Sequence, residues 1–465
     1  MQPGSTRHAE ETGHGEGLLP LVARMAAAYL EQAAGRNVAP EPSAVETLHQ
    51  LDGPFPATPA DAETVARWLD TIGSPATVVN AAGRYFGFVN GGTLPAALAA
   101  SWLVSAWDQN SSMRVMSPVA AALEQTALRW VCEALGLPPD CGGAVVTGAT
   151  MANFTCLAAA RHALLARAGW DVEQDGLFGA PVLTVVIGEE AHVSLLKALS
   201  LLGLGRARVH RVPVDDQGRM RALDLPAIDT RTIVCLQAGN VNTGAFDPAI
   251  EVCSVVRDAG GWAHVDGAFG LWAAASPRYR HLTEGLELAD SWATDAHKWP
   301  NVGYDCGIAL VRDFNPLRAA MSVSASYLAH GSEREPSHYT PEMSRRARGV
   351  ELWAALRSLG CQGLSGLIDR TCRHARTFAG ALRQAGYEIL NEVAINQVLV
   401  SFGPPDVTRE VIRRVQQEGT CWCGATEWQG RTAMRISVSS WATTDEDVAR
   451  SISAILQAAS QAPER

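Results

Sequence analysis

Between residues 144 and 311 the chain keeps a rhythm that few architectures accommodate: short apolar, β-branched runs alternate with segments of helical spacing. The runs are AVVT from Ala144, VLTVVI from Val182, TIVCLQA from Thr232, WAHVDGA from Trp262 and CGIALV from Cys306. Between them, Met151 to Ala166, Val193 to Leu202 and Pro248 to Ala259 carry helical spacing. Strands without polar alternation are buried on both faces, so the pattern predicts an α/β fold with a mainly parallel sheet flanked by helices. Such a sheet binds ligands beyond the carboxyl ends of its strands.

The flanks follow other rules. Leu18 to Ala34 and Ala60 to Ile72 have helical spacing, joined by a Pro-rich connection (Pro40, Pro42, Pro54, Pro56, Pro59). A long amphipathic helix is expected from Pro118 to Leu135, with Gly136 as its stop. After residue 350 the pattern becomes α+β. A helix from about Gly363 to Ala385 precedes strands at Tyr387 and Asn396, a helix near Thr408 to Glu418, and the strand MRISV from Met434. A closing helix starts near Asp445, where Thr444 and Asp447 have capping-box spacing. The expected organisation is a tail (1–17), an N-terminal helical segment (18–90), a large domain (91–350) and a small C-terminal α+β domain (351–465).

Composition removes several functions. A net charge of −10 opposes encounter with nucleic acid or an anionic membrane surface. The ten cysteines are scattered; Cys421 and Cys423 form the one close pair, with no second pair at ligand spacing, so a metal site is not expected. The polar, Gly-rich N-terminus has no signal-peptide pattern, and the apolar stretch Leu94 to Trp107 is too short to span a bilayer. A cytoplasmic protein with no membrane or nucleic-acid partner is expected.

Four segments on the carboxyl side of the predicted strands carry chemistry. SWATDAHKWPNVGYDCG places Lys298 beside Trp299 and Pro300 in a run poor in other basic residues. An amine in apolar surroundings is destabilised as a cation and becomes a nucleophile suited to Schiff-base formation. WAHVDGAFG delivers Asp266 at a strand end, where a carboxylate can hold a pyridinium N–H; Ala268, on the same side, is placed to pack under a flat ring. AVVTGATMAN is a strand–turn–helix in which the N–H groups of Gly148, Ala149 and Thr150 suit a phosphate dianion. His192 follows VLTVVI and opens a helix. Each motif alone has an ordinary structural explanation; the order of all four is the signal.

That order resembles the pyridoxal-phosphate enzymes of fold type I, and within them the group II amino-acid decarboxylases, over roughly residues 78 to 465. The resemblance implies pyridoxal 5′-phosphate as cofactor and a Schiff base at Lys298. It further implies Asp266 on the ring nitrogen, His192 stacked on one ring face and Ala268 on the other. Ala149, Thr150, Ser291 and His297 are implied as phosphate contacts. SPVAAALEQ from Ser117 also matches the family. Tyr327 in SYLAHG corresponds to the mobile-loop tyrosine that protonates the α-carbon in the neighbouring subunit, which implies a homodimer with an N-terminal segment of the swapping type. RYFGFVNGG resembles the substrate-side loop, with Phe86, Phe88 and Asn90 as pocket residues and an aromatic amino acid as the favoured small-molecule substrate. Phe86 and Phe88 at period two equally fit ordinary strand core.

Departures accompany the match. Gly239-Asn240-Val241-Asn242 replaces a Gly-Thr-Thr run, Asp295 stands where many members carry Asn near the phosphate, and Ala82-Gly83 replaces a His-Pro pair. Arg435, a candidate for the substrate carboxylate, does not separate decarboxylases from aminotransferases. An aminotransferase, a non-decarboxylating lyase and a catalytically silent binding protein are the rival readings.

Overall fold

The computed structural model of the chain describes residues 17–323 and 334–462. The chain divides into two compact units, up to Ala82 and from Gly83 onward. The first holds the helices α1 (Leu18–Ala33), α2 (Pro42–Glu46) and α3 (Ala62–Trp68), the last capped by Asp61 accepting from the Thr64 N–H. The expected helix to Ile72 is shorter because the chain passes from α3 into a wider turn, Leu69–Gly73.

The second unit begins eight residues before the expected boundary at 90. The reason is local pairing: Phe86 N–H donates to the Trp422 carbonyl, Trp422 N–H to that of Arg84, and Ser437 N–H to that of Phe86. These bonds tie the segment after Gly83 to the C-terminal part. α4 (Pro95–Trp107) and α5 (Pro118–Leu135) follow, the latter ending at Gly136 in the left-handed region.

A seven-stranded sheet forms the centre: β1 (Gly142–Val146), β2 (Thr184–Gly188), β3 (His210–Val212), β4 (Thr232–Gln237), β5 (Trp262–Asp266), β6 (Ser291–Asp295) and β7 (Gly307–Val311), in the order β1-β7-β6-β5-β4-β2-β3. Strands β3, β2, β4, β5 and β6 run parallel, while β7 is antiparallel to both β1 and β6. β4, β5, β6 and β7 are buried throughout, as continuous apolar runs between helix layers must be. The helices between them are α6 (Ala149–Arg167), α7 (Val172–Asp175), α8 (Val193–Leu201) and α9 (Ala249–Asp258), with α10 (Phe314–Met321) after β7. β3 and β6 are the strands of this sheet not expected from sequence; in β6, SWATD carries three polar residues, yet every one is buried.

α11 (Arg348–Gln384) crosses the expected boundary at 350 and consists of two helices joined at the non-helical Gly360 (φ 59°), the second starting near the expected Gly363. It leads into a four-stranded antiparallel sheet, β8 (Glu388–Ile389), β9 (Gln397–Ser401), β10 (Gly424–Trp428) and β11 (Arg431–Ser437), in the order β10-β11-β9-β8. α12 (Pro405–Glu418) and α13 (Asp445–Ser460) cover it. The Thr444–Asp447 capping box is formed in both directions. Among the described residues no helix is long and apolar enough to cross a membrane.

Candidate active site

The parallel strands deliver their last residues to one edge of the sheet, and the chemistry gathers there. Asp266 ends β5 and pairs with Ala293 of β6; beyond it the ladder continues, with Gly267 N–H donating to Ala293 O and Asp295 N–H to Ala268 O, both at 2.9 Å. Asp266 and Ala268 therefore lie alongside the end of β6, three residues ahead of Lys298.

Asp266 is 5% exposed, and its neighbours are neutral donors: Asn153 Nδ2 at 3.0 Å and the Ala268 N–H at 3.3 Å. No cation lies at ion-pair distance among the described residues. A buried relay holds it in place. Asn153 Oδ1 meets His264 Nε2 at 2.8 Å, His264 Nδ1 meets Ser291 Oγ at 2.9 Å, and the Trp262 indole donates to the same Oγ at 2.9 Å. Burial lowers the His264 pKa to about 4, so the imidazole is neutral and the relay carries no charge to compensate the carboxylate.

This relay corrects one expectation. Ser291, implied by the resemblance as a phosphate contact, is the first residue of β6, four residues and about 13 Å of strand from the carboxyl end. It is fully buried with its hydroxyl taken by Trp262 and His264. Its position makes it a support for Asp266.

The turn between β1 and α6 has the character expected of a phosphate cradle. Gly148 is the N-cap of α6 and no side chain caps the helix, so the first-turn N–H groups of Ala149 and Thr150 remain for a ligand. β7 packs hard against this turn: a Cβ on Gly307 would lie 2.4 Å from Gly148 Cα. His297 stands on the other side, 3.3 Å from where a Cβ on Gly148 would be. Its Nδ1 accepts from Cys306 N–H at 3.2 Å, which puts the proton of the neutral ring on Nε2. Burial first, and Lys298 as a lesser influence, hold its pKa down against Asp295.

Lys298 is mostly buried, but its surroundings are not the apolar ones expected. Nζ lies 3.2 Å from Asp295 Oδ2, as well as 6.0 Å from the Phe269 ring centroid. Its carbonyl sits where a Cβ on Gly91 would be, 2.0 Å away, so the substrate-side loop runs directly against the lysine. Of 38 Lys+Arg residues only two are lysines; the other, Lys197, is on the exposed face of α8. That count, legible in the sequence, singles out Lys298 more sharply than its neighbours do.

His192 is the N-cap of α8. Its Nδ1 accepts from the Ser194 N–H (3.3 Å) and meets Ser194 Oγ at 2.7 Å, and burial lowers its pKa against the pull of Asp266. The ring is a neutral plate oriented by its own helix. Arg435, on β11, is half-buried and reaches Val241 O (3.4 Å) and Asn242 Oδ1 (3.3 Å), with no acidic partner among the described residues. Desolvation lowers its pKa, and its charge is felt at His192. The departure at 240–242 has a structural use: Asn240 binds Glu190 Oε2 at 2.9 Å, and Asn242 orients Arg435.

The substrate-side residues separate. Phe86 is 1% exposed and packs edge-on against Phe378 at 5.1 Å in the core of the small sheet, so it does not line a pocket. Phe88, held at φ 52°, is exposed and stacks on Trp422 at 5.4 Å, with Tyr85 stacked on the same indole at 5.2 Å. Asn90 Oδ1 accepts from the Tyr304 hydroxyl at 2.6 Å, and the Tyr304 ring lies 4.4 Å from His297. Nothing in the local spacing of Trp422 or Tyr304 marks either of them in the sequence. Tyr327 lies outside the described residues.

A buried carboxylate awaiting a cation, an uncapped helix turn, a neutral imidazole plate and a lone buried lysine fit pyridoxal phosphate in ring nitrogen, phosphate, ring face and aldehyde respectively. Comparisons with known proteins point to the same coenzyme. The sequence matches the pyridoxal-dependent decarboxylase conserved domain over residues 49–403. Tryptophan decarboxylase 1 of Oryza sativa subsp. japonica is 28% identical over 398 residues, covering 77% of this chain and 76% of the rice protein. Histidine decarboxylase of Mus musculus is 29% identical over 366 residues, covering 74% of this chain and 55% of the mouse protein. The crystal structure of Oryza sativa TDC with PLP and tryptamine superposes with a TM-score of 0.88 at 23% identity, covering 98% of this chain and 99% of that one, which establishes the fold-type-I architecture. The chain belongs to the pyridoxal-dependent decarboxylase family, as a pyridoxal-phosphate-dependent amino-acid decarboxylase.

Proposed function

We propose that this decarboxylase acts on an aromatic L-amino acid, with Lys298, Asp266, His192 and the Gly148–Thr150 turn as its coenzyme site. The observation that supports the site best is their convergence at one sheet edge, with the Asp266 charge left uncompensated. When bound, pyridoxal phosphate supplies an electron sink for the pair left on the α-carbon when CO₂ departs. Asp266 Oδ atoms keep a proton on the ring nitrogen, and the His264–Asn153 relay prevents the carboxylate from turning away. His192 and Ala268 hold the ring plane. Lys298 Nζ, held beside Asp295, would be the covalent anchor of the coenzyme and would serve as a base when its amine is free. Arg435 receives the substrate carboxylate. Tyr327 is the proposed proton donor to the α-carbon.

The aromatic preference rests on Phe88, Trp422 and Tyr85, a stacked wall beside the Asn90–Tyr304 pair. Apolar rings favour such surfaces, whereas an acidic side chain needs a cation. Arg84 is buried against Thr420 O and Asp447, and Arg346 pairs with Glu351, so neither is directed to this wall. A screen of the twenty amino acids for CO₂ release tests this reading. Tryptophan, tyrosine or phenylalanine turning over fastest supports it, and preference for glutamate or aspartate refutes it.

The proposed assembly is a homodimer. α4 exposes Trp102, Leu103 and Trp107, and the N-terminal unit leaves Leu19, Phe55, Trp68 and Leu69 uncovered. Apolar faces of this kind are normally covered by a partner. The ten free thiols support a reducing, cytoplasmic setting.

A further inference from the structure

Asp295 places a negative charge where the coenzyme brings two more. Its side chain is 3% exposed, and its two oxygens face different surroundings. Oδ2 lies 3.2 Å from Lys298 Nζ and 3.5 Å from His297 Nε2, the nitrogen that carries the ring proton. Oδ1 is buried with no hydrogen-bond partner among the described residues, and a Cβ on Gly148 would lie 3.6 Å from it. The carboxylate thus stands between the amine and the turn assigned to the phosphate. Of the other titratable groups, His192 opening α8 and Tyr304 and Cys306 before β7 feel its charge, Asp266 ends the neighbouring β5, and Asp305 is paired with Arg348. Gly307 and Gly148 add none.

A phosphate dianion on this turn sets like charges together in a desolvated space, and such contact favours the neutral form of one of them. Oδ2 already faces Lys298 Nζ and His297 Nε2, so the unpaired position is Oδ1. We propose that Asp295 takes up one proton when phosphate occupies the turn. Its carboxyl then donates from Oδ1 to a phosphate oxygen, linking coenzyme capture to a proton drawn from solvent. The one bond made is Oδ1–H, its proton coming from the solvent buffer, and no other bond changes in this step. The proposal rests on the phosphate placement given above.

Proton uptake is measured by calorimetry of the full-length apoprotein near pH 8, in buffers of differing ionisation enthalpy. Titrants are pyridoxal phosphate and pyridoxal, which lacks the phosphate. At this pH the free phosphate is already dianionic, its second ionisation lying at about 6. Wild type is expected to take up one more proton per subunit with pyridoxal phosphate than with pyridoxal. The affinity ratio of the two should then fall about tenfold per pH unit. Asp295→Asn, whose amide donates without a proton, is expected to show equal uptake and a pH-independent ratio. Equal uptake in wild type, or a surplus that persists in the variant, overturns the proposal. If the variant does not fold, infrared spectra of wild type decide: a protonated-carboxyl stretch is expected with pyridoxal phosphate and not with pyridoxal, and its absence overturns the proposal. Failure of both compounds to become fixed at Lys298 by borohydride instead overturns the coenzyme placement, and this proposal with it.

Discussion

Phe86 and Phe88 stand two residues apart on the same loop and have opposite fates. Phe86 fills the core between α11 and the small sheet, so Phe86→Ala should destabilise by about 3–5 kcal/mol, read as a lower melting temperature, with KM little changed. Phe88→Ala should do the reverse: stability nearly intact and KM raised several-fold for an aromatic substrate. Period-two spacing predicts one face for both, and the left-handed backbone at Phe88 and Val89 is what turns the second ring away. His264 supplies a pH test. Its folded pKa lies near 4 against about 6.5 when unfolded, so the unfolded chain binds the extra proton and stability falls as pH drops from 6.5 toward 4. His264→Gln removes that loss. Relative to wild type it should become steadily more stable on acidification across this window, in urea titrations at each pH, and a constant difference would contradict the neutral relay.

At the scale of elements, the site depends on backbones that approach too closely for side chains. Gly91→Ala would drive a methyl group into the Lys298 carbonyl. We expect coenzyme retention on dialysis to drop at least tenfold, while a control at Gly73, which has open space around it, leaves retention unchanged. Much of the element plan is legible in the sequence: the apolar runs form β1, β2, β4, β5 and β7, and Pro118–Leu135 forms as expected because Pro at its start and Gly136 at its end are strong local signals. β6 is not legible, because its polar Ser291, Thr294 and Asp295 mask a strand that tertiary contacts bury completely. The relay escapes for the same reason. Asn153 and His264 are 111 residues apart, and only the packing of α6 on the sheet brings them together.

For the whole molecule, the uncovered apolar surface is the feature to test. If a second copy covers α4, Trp102→Glu with Leu103→Glu should shift the sedimenting species from dimer to monomer and lower turnover. A wild-type protein that sediments as a monomer at micromolar concentration would contradict the dimer. The fold class is readable because parallel sheets leave a compositional mark. The counter-ion of Lys298 is not, because resemblance places Asp295 beside the phosphate and says nothing of its second contact.

The central claim is that one amine anchors the coenzyme, and a chain with two lysines permits an unambiguous test. Borohydride reduction of the holoenzyme, digestion and mass spectrometry should find a phosphopyridoxyl group on Lys298 and none on Lys197. Label on Lys197, or no covalent label on a protein that still decarboxylates, would contradict the account.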